Sequence, residues 1–200
     1  MSYVFSSKWG TFGTGPGQLK YPFGIALDSS GNVFVSDTGN HRIQKFSSSG
    51  NFIKTWGTLG SGDGQFNDPS GIAVDSSGYV YVGDRLNHRI QKFRNDGTFI
   101  RTWDISTADG QFHWPYGVAV DKSGNVFVVD LINCRIQKFV NDGQFITKWG
   151  SQGSADGQFL VAHGIAIKSA TVSFLEERVF VADTGNSRIQ VFKPKIVVHP

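Results

Sequence analysis

Cysteine is nearly absent from this 200-residue sequence, which contains only Cys134. A single thiol excludes an intrachain disulfide and a zinc site built from cysteines. No stretch approaches the roughly 18 consecutive apolar residues of a transmembrane helix. The N-terminal segment MSYVFSSKWGTFG also lacks the basic region and long apolar run of a signal peptide. These absences predict a protein that does not cross a membrane, and they favour the cytoplasm as its compartment.

The sequence also lacks a strong charge and the usual catalytic motifs. Nineteen Lys and Arg residues stand against 16 Asp and Glu residues, for a net charge of +3, which does not by itself indicate nucleic-acid binding. There is no Gly-x-Ser-x-Gly motif, no phosphate-binding glycine loop before a helix and no paired acids outside the repeats described below. We therefore expect no enzymatic activity, no cofactor and no metal.

Glycine, by contrast, is abundant, with 25 residues, and it marks an internal repeat. The stretch Gly31 to Trp56 recurs at Gly78 to Trp103 and at Gly124 to Trp149, and a divergent copy begins at Arg178. An aspartate recurs at steps of 47, 46 and 53 residues, and an arginine five residues later follows the same steps. The pairs are Asp37 and Arg42, Asp84 and Arg89, Asp130 and Arg135, and Asp183 and Arg188. Self-similarity at a spacing of this length indicates a repeat architecture.

Each unit predicts four short strands. FGIALD and VFVSD are almost continuously apolar and predict buried strands, RIQKF alternates, and FIKTW is more polar and predicts an outer strand. Glycine-containing turns of two to five residues separate them, which favours antiparallel hairpins over a parallel solenoid. Four antiparallel strands per unit are typical of a blade of an all-β propeller.

The motif at the third strand resembles a known family. Asn40-His41-Arg42 and Asn87-His88-Arg89, with Ile-Gln-Lys-Phe after each, resemble the NHL repeat. The third and fourth copies keep the Asn and the Arg. The resemblance covers essentially the whole chain and implies a β-propeller, commonly of six blades.

We predict one domain over residues 1–200, with blades at about 23–57, 70–104, 116–150 and 163–200. Residues 3–9, YVFSSKW, resemble the outer strands and predict an N-terminal outer strand. This strand, or residues 195–199, could complete the last blade, whose outer strand is not obvious. An open arc or partial propeller, which self-association could complete, is favoured over a closed four-blade ring.

The recurring Asp and Arg predict a structural pair within each blade, because a residue needed in every unit is best explained by the architecture. A binding site is expected instead where the copies differ, on the loops of one face. Aromatic, basic and apolar members of this set are typical of interaction hot spots. The candidates are Phe23, Ser70, Tyr116 and His163 at the channel mouth, with Tyr21, Arg85, Leu86 and Trp114 beside them.

These candidates predict a non-catalytic scaffold that binds a protein or peptide. RNA is the first alternative, because some NHL propellers bind RNA and aromatics stack on bases, although Asp63, Asp68, Asp109 and Asp156 mix the charge of this face. The second alternative is a metal-dependent lyase or hydrolase. Amidating lyases that resemble NHL proteins bind zinc through histidines near the axis, and here His163 is the best placed, with His113 second.

Overall fold

The computed structural model describes residues 2–103, 109–170 and 176–195. Within these ranges no helix is long and apolar enough to cross a membrane. The strands form four antiparallel sheets in chain order. Their bounds are, in blade 1, β3 Pro22–Leu27, β4 Val33–Asp37, β5 Arg42–Phe46 and β6 Phe52–Trp56; in blade 2, β7 Pro69–Val74, β8 Val80–Asp84, β9 Arg89–Phe93 and β10 Phe99–Trp103; in blade 3, β11 Pro115–Val120, β12 Val126–Asp130, β13 Arg135–Phe139 and β14 Phe145–Trp149; in blade 4, β15 Ala162–Lys168, β16 Arg178–Asp183 and β17 Arg188–Phe192.

Two smaller kinds of element lie in the connections. A short parallel pair, β1 Thr11–Phe12 and β2 Gln18–Leu19, forms in the loop before blade 1. Single 3₁₀ turns join the second and third strands of three blades, at Thr38–Asn40, Arg85–Asn87 and Thr184–Asn186. Each of these turns ends on a residue in the left-handed region, where φ is between 53° and 56°.

The polarity of each strand sets its place in the blade. The second strands are buried along their whole length in blades 1, 2 and 3, whereas β6 is exposed over its first three residues. The hairpin between the first two strands of blade 1 turns on Gly31, whose φ of 79° suits glycine. The propeller architecture predicted from the repeat is therefore confirmed.

The hydrophobic core lies between blades. Phe34 and Ile43 of blade 1 pack against Ile72, Val80, Val82 and Phe93 of blade 2, and both are fully buried. Phe66, from the loop between these blades, is also fully buried in this cluster. Blades 2 and 3, and blades 3 and 4, form equivalent clusters that bury Phe112 and Phe159. Each of these three clusters therefore buries an apolar face of one blade against its neighbour. In blade 1, Val33, Val35 and Phe46 are buried instead beneath Trp9 and Leu19 of the preceding segment.

The series of blades is open at its two ends. In blade 1, Ile25 is 64% exposed, whereas its equivalent Ile72 in blade 2 is 5% exposed. In blade 4, Ile189 is 63% exposed, whereas its equivalent Ile43 in blade 1 is fully buried. The face of blade 1 that would meet a preceding blade and the face of blade 4 that would meet a following blade are thus not packed on each other. The four blades form an arc.

The predicted outer strand over residues 3–9 is not formed. Residues 2–10 have no regular secondary structure, since no described strand lies beside them to accept their backbone hydrogen bonds. Trp9 nevertheless packs on Phe46 of blade 1, with 4.5 Å between the ring centroids. Blade 4 has three strands among the described residues, and most of the alternative outer strand, 195–199, lies outside them.

Candidate functional site

Each recurring Asp and Arg forms an ion pair within its own blade. The Nε to Oδ2 distances are 2.7 Å in blades 1, 2 and 3 and 2.8 Å in blade 4, and all four carboxylates are fully buried. In blade 2 the guanidinium of Arg89 also donates to the carbonyl oxygens of Ser61, Gly62 and Gln65. The ion pair therefore stabilises the loop that connects the preceding blade to this one.

The same carboxylates accept further hydrogen bonds. Asp183 accepts from the backbone N–H of Leu160 and from the side chains of Asn186, Arg188 and Gln190. Burial alone would raise the pKa of this carboxyl group, but the hydrogen bonds outweigh it and hold the pKa below its usual value. All four are thus saturated within the protein, and none is directed at a ligand.

Two loops of each blade meet on one face, as the repeat predicts. In blade 2 the N–H of Leu86 donates to the carbonyl of Asn67, and the N–H of Asn67 donates to Asp84. In blade 3 the N–H of Ile132 donates to the carbonyl of His113. This surface, formed by the loop before the first strand and the loop after the second strand of each blade, is called the loop face below.

The repeat histidines have a contact that sequence reasoning missed. His41 Nδ1 accepts the N–H of Asp68, 3.1 Å away in the next blade, and His88 Nδ1 accepts the N–H of Trp114 at 3.4 Å. Both histidines therefore hold adjacent blades together on the loop face. Their recurrence at equivalent positions was the available signal, but it does not reveal which atom they contact.

An aromatic and arginine cluster extends over the loop face. Phe23 of blade 1 meets the edge of Tyr116 of blade 3 at 4.7 Å between ring centroids. Tyr116 stacks on His163 of blade 4 at 4.6 Å. The Arg85 guanidinium of blade 2 lies 5.6 Å from the Trp114 ring centroid and 5.7 Å from that of Tyr116. One residue set therefore draws on all four blades.

The cluster borders an apolar cavity on the propeller axis. The cavity has a volume of about 320 Å³ and is lined by Phe23, His163, four glycines and four aliphatic residues of the inner strands. Burial lowers the pKa of His163, which favours its neutral form. Arg85 forms an ion pair with Asp68, so its charge is partly balanced. The surface thus offers aromatic contact area with little net charge.

The remaining candidates divide into exposed and buried residues. Tyr21 is 74% exposed and Leu86 is 38% exposed, on the same face. Ser70 is only 3% exposed, so the prediction that it lines the channel mouth for a ligand is wrong. Its hydroxyl donates to the carbonyl of Pro115 at 2.7 Å and so joins blade 2 to blade 3.

This role of Ser70 leads to a stability prediction. Replacing Ser70 by Ala removes the hydroxyl from a buried site, and the net loss of one such hydrogen bond is about 1 kcal/mol. For a chain of this size we expect the melting temperature to fall by about 3 °C in thermal denaturation. Ser76→Ala, at an exposed turn of the same blade, is the matched control. Equal melting temperatures for the two variants would contradict the assigned role.

The described residues contain no group of three or more His, Cys, Asp or Glu side chains placed to hold a metal ion. His163 lies at the channel mouth, but its ring contacts Tyr116. His113, the second histidine considered, lies beside His88, with 5.1 Å between their ring centroids.

Comparison with known proteins identifies the repeat. The family model described as NHL repeat matches residues 19–46, 66–93 and 112–139. These segments run from the loop before each of blades 1, 2 and 3 to the end of its third strand. Three segments of the chain therefore match the NHL repeat. The B-box type zinc finger protein ncl-1 of Caenorhabditis elegans is 43% identical over 49 residues, which are 24% of this chain and 6% of ncl-1.

Solved structures share the fold of this chain at low identity. Virginiamycin B lyase from Staphylococcus aureus has a TM-score of 0.59 and 17% identity, over 88% of this chain and 56% of the lyase chain. A chain of a nidogen/laminin complex has a TM-score of 0.61 and 19% identity, over 89% of this chain and 66% of its own. The match thus spans a small part of ncl-1 and little more than half of the lyase chain.

Proposed function

We propose that the loop face binds a segment of a protein partner and performs no catalysis. The observation that carries the proposal is the cluster of Phe23, Arg85, Trp114, Tyr116 and His163, which comes from all four blades. Aromatic residues with arginine dominate the binding energy of protein interfaces. Rings held against one another also lose little conformational freedom on binding.

The shape of the surface favours a peptide segment. The cavity of about 320 Å³ beside Phe23 and His163 is of a size suited to one or two side chains. The glycines that line it leave backbone within reach of an extended ligand. Because Arg85 is paired with Asp68, it adds specificity through its planar group more than net positive charge.

The fold itself does not select among functions. One structural neighbour is a lyase, and another is part of a protein complex according to its description. The proposal therefore rests on the cluster, and a lyase or hydrolase reaction at the channel mouth is the less supported alternative.

The direct test is a selection of random peptides displayed on phage against the whole chain. Peptides that bind the loop face should lose affinity for Tyr116→Ala by about 30-fold, because a hot-spot residue contributes about 2 kcal/mol. Ile53→Ala removes an exposed side chain of the outer strand β6, outside the loop face, and should leave affinity unchanged. A selection that yields only peptides indifferent to Tyr116→Ala and Trp114→Ala would overturn the proposal.

Single-stranded RNA is the second candidate ligand. It is favoured by the exposure of Tyr21 and Phe23, at 74% and 49%, because exposed rings can stack on bases. A labelled oligonucleotide should then bind with an affinity that falls steeply as salt increases, and Tyr21→Ala should weaken it. Salt-insensitive or absent binding would exclude this candidate, whatever the outcome with peptides.

A further inference from the structure

The strongest observation outside the loop face is that the two open ends of the arc are complementary. The face of blade 4 that would meet a following blade exposes Phe180 and Ile189, which are 37% and 63% exposed. These are the equivalents of Phe34 and Ile43, which are buried against blade 2. The face of blade 1 that would meet a preceding blade exposes Ile25 and Leu27, which are 64% and 61% exposed. In blade 2 the equivalent residues, Ile72 and Val74, are packed in the cluster shared with blade 1.

A glycine in the first strand of each blade shows the same difference between the joined blades and the free end of the arc. Gly24, Gly71 and Gly117 each lie so close to the next blade that an added Cβ would meet a backbone carbonyl oxygen. These contacts would be with Ser70 at 2.4 Å, Tyr116 at 2.3 Å and His163 at 2.4 Å. The equivalent Gly164 would meet only the Cβ of Ala182, at 3.5 Å. Blade 4 thus keeps the glycine of a blade interface without a blade opposite it.

The outer edge of blade 4 has a matching site for a strand. In blades 1, 2 and 3, a phenylalanine of the outer strand packs on a phenylalanine of the third strand at 6.1, 5.8 and 5.8 Å between centroids. In blade 4, Phe192 is covered by Trp149 of blade 3, and a cavity of about 480 Å³ lies beside them. Among the described residues no outer strand borders β17.

Residues 3–9 have the sequence that this site requires. Phe5 and Trp9 have the spacing of Phe52 and Trp56, the two aromatic ends of strand β6. Trp9 already packs on Phe46 of blade 1, as Trp56 packs on Phe93 of blade 2. Val4 and Phe5 are 85% and 79% exposed. The segment is thus positioned as the outer strand of a blade that would precede blade 1.

The C-terminal residues are less suited to the same site. The hairpins that lead into the outer strands turn on Gly50, Gly97 and Gly143, with φ of 84°, 84° and 94°. The sequence places Ile196 at the equivalent position, four residues after Phe192. A positive φ is strongly unfavourable for a β-branched residue, so the sequence does not favour the same hairpin at this position.

We propose that a second copy of this chain packs its blade 1 on blade 4 of the first copy, and that its residues 3–9 add to the edge of β17 as the fourth strand. The junction would repeat the interfaces that already join blades 1 to 4. It combines strand addition with head-to-tail packing, which closes into a ring or extends, depending on the rotation between copies. Ile25 and Gly164 of this interaction surface also line the cavity on the propeller axis, so the junction adjoins the loop face. Association does not depend on a ligand of the loop face.

Sedimentation equilibrium of the whole chain tests the proposal. We expect a mass that rises with concentration to at least twice that of the monomer. Ile25→Asp, on the exposed face of blade 1, and Gly164→Ala, which disturbs nothing within one copy, should each remain monomeric. In the assembly the Cβ at position 164 would meet the carbonyl of Phe23 of the second copy. Ile53→Ser, an exposed apolar residue outside the junction, is the control and should assemble normally.

Mixing separates a head-to-tail junction from other association. Ile25→Asp retains the face of blade 4 and Gly164→Ala retains the face of blade 1, so the mixture should form a one-to-one complex. Adding Phe5→Ser to the Gly164→Ala chain should weaken that complex at least tenfold and remove the hydrogen-exchange protection of residues 3–8. A wild-type chain that stays monomeric at all concentrations, as it would if another part of its own chain covered these faces, overturns the proposal. So does a mixture that does not associate.

Discussion

Arg89→Ala is expected to lower the melting temperature by roughly 10 °C. The side chain of Arg89 is 8% exposed, and it faces the carboxylate of Asp84, which is fully buried. Removing one partner of a buried ion pair costs about 3 to 5 kcal/mol, because the remaining charge has no compensation. For a domain of this size each kcal/mol lowers the melting temperature by about 2–4 °C. Thermal denaturation followed by circular dichroism measures the change.

Three further variants separate the causes. Arg89→Lys keeps the charge but not the planar fork that reaches three loop carbonyls, so most of the loss should remain. Arg94→Ala, at an exposed turn of the same blade, should stay within about 0.5 kcal/mol of the wild type. Arg188→Ala should cost less than Arg89→Ala, because the Arg188 side chain is 27% exposed. A wild-type melting temperature for Arg89→Ala would show that the pair does not stabilise its blade.

The sequence predicted the blade well because the residues that build it act locally. Asp84 and Arg89 are five residues apart and meet across one hairpin, so their spacing alone indicates the contact. Phe66 and Phe159 recur as apolar residues in polar loops, and both are fully buried. Repetition makes such signals visible, because each unit solves the same packing problem.

The candidate site was predicted less well because variation between copies has two causes. Tyr116 and His163 differ from their equivalents and lie on the surface, whereas Ser70 differs and is buried against blade 3. A position can vary because it faces a partner or because the next blade differs, and a single sequence does not distinguish these.

The N-terminal segment shows a third limit. Phe5 and Trp9 match the outer strands in spacing, yet no strand forms in residues 2–10. A strand depends on a neighbouring edge for its hydrogen bonds, and sequence similarity does not say where that edge lies. Trp9 keeps its packing because its partner, Phe46, is in the adjacent blade.

Gly71→Ala is expected to destabilise the chain, because it introduces a methyl group where the backbones of two blades are in close contact. The added Cβ would lie 2.3 Å from the carbonyl oxygen of Tyr116 and 2.6 Å from the backbone nitrogen of Val118. Both obstacles are backbone atoms of strand β11, so relief requires the whole strand to shift. Overpacking of this kind costs about 1–3 kcal/mol, and occasionally more.

The matched control for Gly71→Ala is Gly164→Ala, the same change at the equivalent position of blade 4. Its Cβ would meet only Ala182, at an ordinary contact distance of 3.5 Å, so the melting temperature of dilute protein should be unchanged. Gly71→Ala should also raise hydrogen exchange in β7 and β11, because these strands separate first. Equal melting temperatures for the two variants would mean that close packing of the inner strands does not hold the arc together. A loss confined to Gly71→Ala would instead establish that each glycine is required by the blade opposite it.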